Sequence, residues 1–167
     1  GFFEKVQFIS TGAGDLDILK PLGSEMPDGI MATYLYAFDN NAVRPEENEK
    51  FIAEFQKRAG HLPKSGDIIG YVSTYIMAEA IEKAGSTKSE DIVKAMRGST
   101  FSTLLGDIVV RDFDGQATFA YNAGFTYTNP AHPFKRLKDV TRANGEDVLR
   151  TKEEVLKARA EYQKKGS

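Results

Sequence analysis

The sequence predicts an α/β fold with an antiparallel addition, and three observations carry that prediction. A β-forming run, a glycine turn and a short helix open the chain. A nearly unbroken apolar run then precedes three amphipathic helices. Asp-Gly and Asn-Gly turns follow, before a charged terminal helix. The order β, α, β, α, α, α, hairpins and helix, with no repeat and no obvious linker in 167 residues, describes one compact unit, or one domain plus an appendage.

The elements follow in order. Lys5 to Ser10 (KVQFIS) places Val6, Phe8 and Ser10 on one side and Gln7 and Ile9 on the other, so a strand is expected up to the turn Thr11-Gly12-Ala13-Gly14. Asp15 to Lys20 has acids first and a lysine last, the order a helix dipole favours, and Pro21 and Gly23 close that helix. Gly29 to Phe38 (GIMATYLYAF) reads as a central strand buried on both faces, and Asp39-Asn40-Asn41 as a turn. Pro45 suits the first turn of a helix over 45–59, whose Phe51, Ile52, Phe55 and Ala59 form one stripe before Gly60. A longer helix over 65–84 carries Ile69, Val72, Ile76, Ala80 and Lys83 on one side, and Ile68, Tyr71, Tyr75 and Met77 widen its apolar face until it should be largely buried. After Gly85, Thr87-Lys88-Ser89-Glu90 has capping-box spacing for a helix Ser89 to Arg97 with Ile92, Val93 and Met96 inward.

Strands Gly106 to Arg111 and Ala117 to Thr128 then read as a hairpin about Asp112-Phe113-Asp114-Gly115. Asn144-Gly145 predicts a second hairpin, joining an exposed edge strand, Phe134 to Arg142, to Glu146 to Arg150. Thr151 to Lys165 reads as a capped, charged helix burying only Val155, Leu156, Ala158 and Tyr162.

Composition excludes several functions. With 22 Lys and Arg against 24 Asp and Glu, a net charge of −2, no bulk field attracts nucleic acid or an anionic membrane. Seven Tyr, 11 Phe and 28% charged residues are ordinary for a globular domain, not a disordered one. The lack of Cys removes disulfides, thiolate nucleophiles and the common zinc sites, and no apolar run approaches the roughly 18 residues of a membrane span. The chain starts without Met in a strand-like segment, as internal fragments do, so upstream sequence is expected.

Few residues point to chemistry. Thr11-Gly12-Ala13-Gly14-Asp15 can expose backbone N–H groups at a helix start, where a polar or anionic ligand group docks; equally, it is a turn with an Asp cap. Asp17 stands where a dinucleotide fingerprint needs Gly. Asp15-x-Asp17 and Asp112-x-Asp114-Gly115 each lack the further oxygen ligands of a calcium loop, and His61 and His132 have no partner at metal-ligating spacing, so surface histidines and no metal are expected. Nucleophile-elbow, Walker and HExxH patterns are missing, and neither a catalytic set nor a cofactor is expected. Tyr34, Tyr36 and Phe38, with Tyr71 and Tyr75, fit core packing or an aromatic cleft for a small organic ligand.

The segments FISTGAGDLDILKPLGSEMPDGIMATYLYAF, PEENEKFIAEFQKRAG, GYVSTYIMAEAIEKAGSTKSEDIVKAMRG and LLGDIVVRDFDGQA resemble the C-terminal part of type I periplasmic substrate-binding proteins of ABC importers, the leucine/isoleucine/valine-binding group above all. The likeness runs to about Thr128 and weakens past Asn129. It implies a two-lobed Rossmann-like fold, part of which is held here: 1–33 in the second lobe, 34–44 a hinge crossing, 45–116 in the first lobe, and 117–167 a return to the second lobe with a hairpin and a terminal helix.

What the resemblance implies about function is capture of an amino acid or related small organic acid, branched-chain or aromatic, by closure of the lobes, without catalysis. Its implied partners are that ligand, a membrane permease and the missing N-terminal half of the chain, and its implied location is periplasmic or extracellular, with a signal peptide on the precursor. The family's acidic residue for a ligand ammonium group falls at Gly12, a departure. Either Asp15 supplies the charge, or the ligand is a carboxylate or amide without an ammonium group. Thr11, Gly12, Ala13 and Asp15 on one side, Ser65, Gly66 and Asp67 on the other, and the hinge aromatics Tyr36 and Phe38 are therefore the ligand-site candidates, with Gly66 leaving room for a bulkier ligand. A sensing domain of a receptor or regulator with the same fold is the alternative, and a small enzyme using Asp15 or Asp67 is a third reading.

Overall fold

Two clusters of apolar side chains organise the molecule, one against a four-stranded sheet and one inside a helical layer. The structure, a computed structural model, describes residues 1–39 and 43–165. After a 3-10 turn at Phe2–Glu4, Ile9–Ser10 (β1) leads through the glycine turn to Leu16–Leu22 (α1) and Met31–Tyr34 (β2). Pro45–Ala59 (α2), Ser65–Ala84 (α3) and Ser89–Met96 (α4) form the helical layer, with Thr100–Thr103 (β3) and Gly106–Val109 (β4) as a hairpin beside it. Tyr121–Tyr127 (β5), Arg136–Ala143 (β6), Gly145–Val148 (α5) and Lys152–Lys165 (α6) complete the chain.

The sheet runs β1-β2-β5-β6. β1 is parallel to β2, while β5 is antiparallel to β2 and to β6, with Met31 opposite Phe125 and Tyr34 opposite Asn122. The fold is thus α/β with a mixed sheet, as expected. Ala13, Leu16, Leu19, Met26, Tyr34 and Leu137 are among the side chains buried against it. Ile68, Val72, Ile76 and Ala80, at spacings of four on α3, pack with Leu35, Tyr36 and Phe101 in the second cluster.

Helix positions follow the sequence closely. α2 and α3 span 45–59 and 65–84, and Gly60 and Gly85 end them in the left-handed conformation that glycine adopts without steric cost. Thr151 caps α6 reciprocally: its hydroxyl accepts the Glu154 N–H at 3.2 Å, and Glu154 Oε2 accepts the Thr151 N–H at 2.8 Å.

Other expectations need correction. The first strand covers only Ile9–Ser10, because β1 pairs on one side alone and leaves Phe2, Phe3, Phe8 and Ile9 exposed. The central strand ends at Tyr34; beyond it the chain leaves the sheet, and Leu35 and Tyr36 are buried in the helical cluster instead. The expected turn from Asp39 lies, at Asn40 and Asn41, outside the described residues. α3 buries a single stripe: Ile69, Tyr71, Tyr75 and Met77 are exposed. α4 has Lys88 as its N-cap with no side-chain cap, its end is Met96, and Val93 is exposed.

The strands either side of the Asp-Gly turn separate. Among the described residues a single bridge, Val110 to Ala117, joins them, because β4 pairs with the unanticipated β3 while β5 joins β2 and β6. Asn144-Gly145 makes no hairpin: Asn144 is extended at φ −74°, Gly145 begins α5, and a two-residue turn of that kind needs positive φ at both positions. β6 is an edge strand as expected, yet Arg136 and Leu137 at its start are buried.

Candidate functional site

The glycine turn brings the start of α1 against the start of α3. Gly12, at φ 83°, donates its N–H to the Thr33 carbonyl at 3.1 Å, and the Gly14 N–H reaches the same oxygen at 3.3 Å. Gly14 has no room for a side chain: a Cβ there would stand 2.7 Å from Leu137 Cδ1 and 2.9 Å from the Tyr34 ring. The close seat on β2 delivers Asp15 as the residue preceding α1, half-buried. Thr11 is exposed and Ala13 is buried under the turn.

Across from it, the Ser65 hydroxyl donates to Asp15 Oδ1 and accepts the Tyr36 N–H at 3.4 Å. One residue away, Lys64 Nζ lies 2.6 Å from Asp17 Oδ1. Two polar bridges therefore join the helix that packs on the sheet to the helix that organises the other cluster. Burial pushes the Asp15 carboxyl above its ordinary value, against the Ser65 hydrogen bond, and the neighbouring Asp17 adds to the rise. A carboxylate in this position accepts hydrogen bonds from an ammonium, hydroxyl or amide group.

Sequence expectations divide here. Asp15 and Ser65 are brought into contact, and Gly66 opens onto free space, with nothing within 4 Å of where its Cβ would be. Asp67 instead turns back to accept the Lys64 N–H at 3.0 Å. Tyr36 is buried, its hydroxyl donating to Asn48 Oδ1 at 2.8 Å, and the Asn48 amide donates to the Phe38 carbonyl at 3.1 Å. Burial raises the Tyr36 hydroxyl well above the usual tyrosine range and moves Tyr34 up to about 12, so both hydroxyls are neutral at physiological pH.

Two residues that sequence reasoning passed over stand beside the candidates. Asn48 sits on the inward stripe of α2 three residues before Phe51, so its place was legible in the spacing. Arg136 opens β6 two residues after Phe134, and it pairs with Asp39 through Nε at 2.7 Å and through Nη2. Both histidines are half-buried on aromatic rings, not free on the surface: His61 against Phe55 and His132 stacked on Phe134. Asp114 is taken up by Arg111, and Asp112 faces Lys152.

A separate groove of about 630 Å3 opens between α2, α3 and the β3–β4 hairpin, walled by Phe51, Phe55, Tyr71 and Tyr75. Of the aromatic residues expected in a core or a cleft only Tyr71 and Tyr75 line it, and none of Thr11, Gly12, Ala13, Asp15, Ser65, Gly66, Asp67, Tyr36 and Phe38 does. Among the described residues no group of three or more acidic or histidine side chains is placed to hold a metal, and no helix is long and apolar enough to cross a membrane.

A family profile described as periplasmic binding protein matches residues 1–124. Among solved structures, an ABC-type branched-chain amino acid transporter protein from Rhodopseudomonas palustris is 26% identical, covering 84% of this chain and 37% of its own length, with a TM-score of 0.69. A leucine-, isoleucine-, valine-, threonine- and alanine-binding protein from Brucella ovis, in a closed conformation, is 17% identical, covering 90% of this chain and 40% of its own, with a TM-score of 0.70. A solute-binding protein from R. palustris in complex with 4-hydroxybenzoate is 18% identical, covering 88% and 40%, also with a TM-score of 0.70. The chain thus spans about two fifths of the length of these proteins. No curated protein sequence matches it.

Proposed function

Since the chain belongs to the periplasmic binding protein family, whose members capture solutes without transforming them, we propose that it is part of the ligand-capturing protein of an ABC importer for an amino acid or an aromatic or aliphatic carboxylate. In this reading 1–33 and 117–167 belong to one lobe, 45–116 to the other, and 34–44 cross between them. The single observation that carries it is the contact of Asp15 with Ser65, which joins helix starts anchored in two different hydrophobic clusters. Thr11, Gly12 and Asp15, with the backbone of Ala13, whose side chain is buried under the turn, face the ligand from one side and Ser65, Gly66 and Asp67 from the other. Tyr36 and Phe38 stand at the crossing.

Capture works by population shift. A ligand that meets both helix starts only when they approach stabilises the closed arrangement by the difference in its contacts with the two states. Ser65 donates to Asp15 Oδ1 alone, so the other carboxylate oxygen is left to accept from an incoming ammonium or hydroxyl donor. A ligand with only a carboxylate gains nothing from it. A permease in the membrane takes the ligand from the closed protein, in the periplasm where this family operates.

A thermal-shift screen of the complete two-lobed protein, with the proteinogenic amino acids and a panel of benzoates, tests the proposal. Stabilisation by one chemical class is the expected result, since ligand binding to the folded state alone raises its melting temperature. No shift across both panels would sink it.

A further inference from the structure

The stretch from Leu35 to Asp39, which carries the chain from β2 toward α2, is gripped from two sides. On the α2 side, Asn48 accepts the Tyr36 hydroxyl and donates to the Phe38 carbonyl. On the β6 side, Arg136 takes the Asp39 carboxylate with two nitrogens and lays its guanidinium 4.8 Å from the centre of the Phe38 ring. Phe38 packs against both hydrophobic clusters. Two residues earlier, Tyr36 meets Ser65, which meets Asp15. An unbroken line of contacts therefore runs from Arg136 to the two helix starts of the proposed ligand site.

Fold stability does not by itself call for a guanidinium here. The Arg136 side chain is 4% exposed, and its Nη1 has no partner among the described residues. The buried Tyr34 hydroxyl, which feels the Arg136 charge, has none either. Desolvating the guanidinium is costly even with the partly exposed Asp39 as its partner, and unpaired buried donors add to that cost. What apolar groups cannot supply is a forked, directional hold on Asp39 combined with a flat face for Phe38.

Resting on the two-lobed reading above, we propose that Arg136 is a positioning residue for ligand capture. By fixing Asp39 and Phe38 relative to β6, it sets how the sheet cluster and the helical cluster face one another. It thereby sets the separation of Asp15 and Ser65 in the ligand-free protein.

The complete two-lobed protein tests this with three variants. Arg136→Lys keeps the charge and loses the fork, Asp39→Asn keeps the shape and loses the charge, and the double variant R136M/D39L replaces the pair with apolar groups. Small-angle X-ray scattering reads the radius of gyration without ligand, and titration calorimetry reads affinity for L-leucine and for 4-hydroxybenzoate. Folded variants are expected to show a shifted ligand-free radius and a Kd changed roughly three- to tenfold for the probe that wild type binds. A merely structural arginine would lower the melting temperature and leave both readings alone, and that result in the folded variants overturns the proposal. If wild type binds neither probe, the thermal-shift panels still decide the functional reading, and the ligand-free radius alone decides the role of Arg136: shifted supports it, unshifted overturns it. If Arg136→Lys does not fold, Asp39→Asn and the apolar double variant decide in the same way.

Discussion

Asp67 Oδ2 accepts the backbone N–H of Lys64 at 3.0 Å, closing the first turn of α3 from its third position. A carboxylate in this role also complements the helix dipole. Asp67→Ala is expected to lower stability by about 1 kcal/mol, read by urea denaturation. If Asp67 touches ligand as well, affinity falls by more than this stability loss explains, and an unchanged Kd leaves it as a cap alone.

Asp15 makes folding stability depend on pH in a definite direction. Its folded pKa is raised above 3.8, first by burial and also by Asp17, against the Ser65 hydrogen bond. The protonated form is therefore favoured on folding. The associated stability is fully present below the unfolded value near 3.8 and is lost as pH rises through the folded value. Asp28, Asp114 and Glu154, whose pKa values are lowered by their hydrogen-bond partners, act in the opposite sense, so the difference between wild type and Asp15→Asn is the informative curve. Melting temperatures from neutral pH down to about pH 3 should show wild type gaining on the variant as acidity increases, and a flat difference would refute the assignment.

Gly145 sits where no side chain fits. A Cβ would come within 2.6 Å of the Thr118 carbonyl carbon and 2.7 Å of the Phe119 oxygen, both backbone atoms that cannot swing aside. Gly145→Ala is expected to cost roughly 1–3 kcal/mol in chemical denaturation. Gly66→Ala, with open space around it, should cost far less, and equal losses would show that the packing at Gly145 has been misjudged.

The isolated 167-residue polypeptide is expected to self-associate. β1 has an unpaired edge, and Phe2, Phe3, Phe8 and Ile9 gather exposed apolar surface around it, while Tyr75 and Met77 expose more on α3. Sedimentation velocity at micromolar concentration should detect species beyond the monomer. A sharp monomeric boundary with a cooperative melt would mean that these faces need no cover.

The longer helices were legible in the sequence because their signals are local, whereas the four-residue α5 stands where a strand was expected. Pro45, Gly60, Gly85 and the Thr151–Glu154 pair mark their ends through backbone geometry that depends on a few neighbours. Strand partners were not. The Asp-Gly turn at 114–115 looks like a hairpin from within, yet β5 is claimed by β2, some ninety residues earlier, and Asn144-Gly145 loses its turn because Gly145 must lie flat on Thr118. The contact of Asp15 with Ser65 was reachable only through a family likeness, since fifty residues separate them. Arg136 was passed over because a basic residue on an edge strand ordinarily faces water, whereas here Asp39 arrives from the far end of β2 to receive it.

The sheet order also dictates an assembly sequence. Thr126 accepts the Ile30 N–H and donates to the Pro27 carbonyl, so β5 cannot dock until nearly a hundred intervening residues have returned to the strand they left. Closing so long an excursion is entropically costly for a flexible chain and cheaper once that span has already condensed. The cluster around Ile68 and Phe101, drawn largely from residues 68–110, lies within that span, so its condensation shortens the effective loop that the β2–β5 pairing must close.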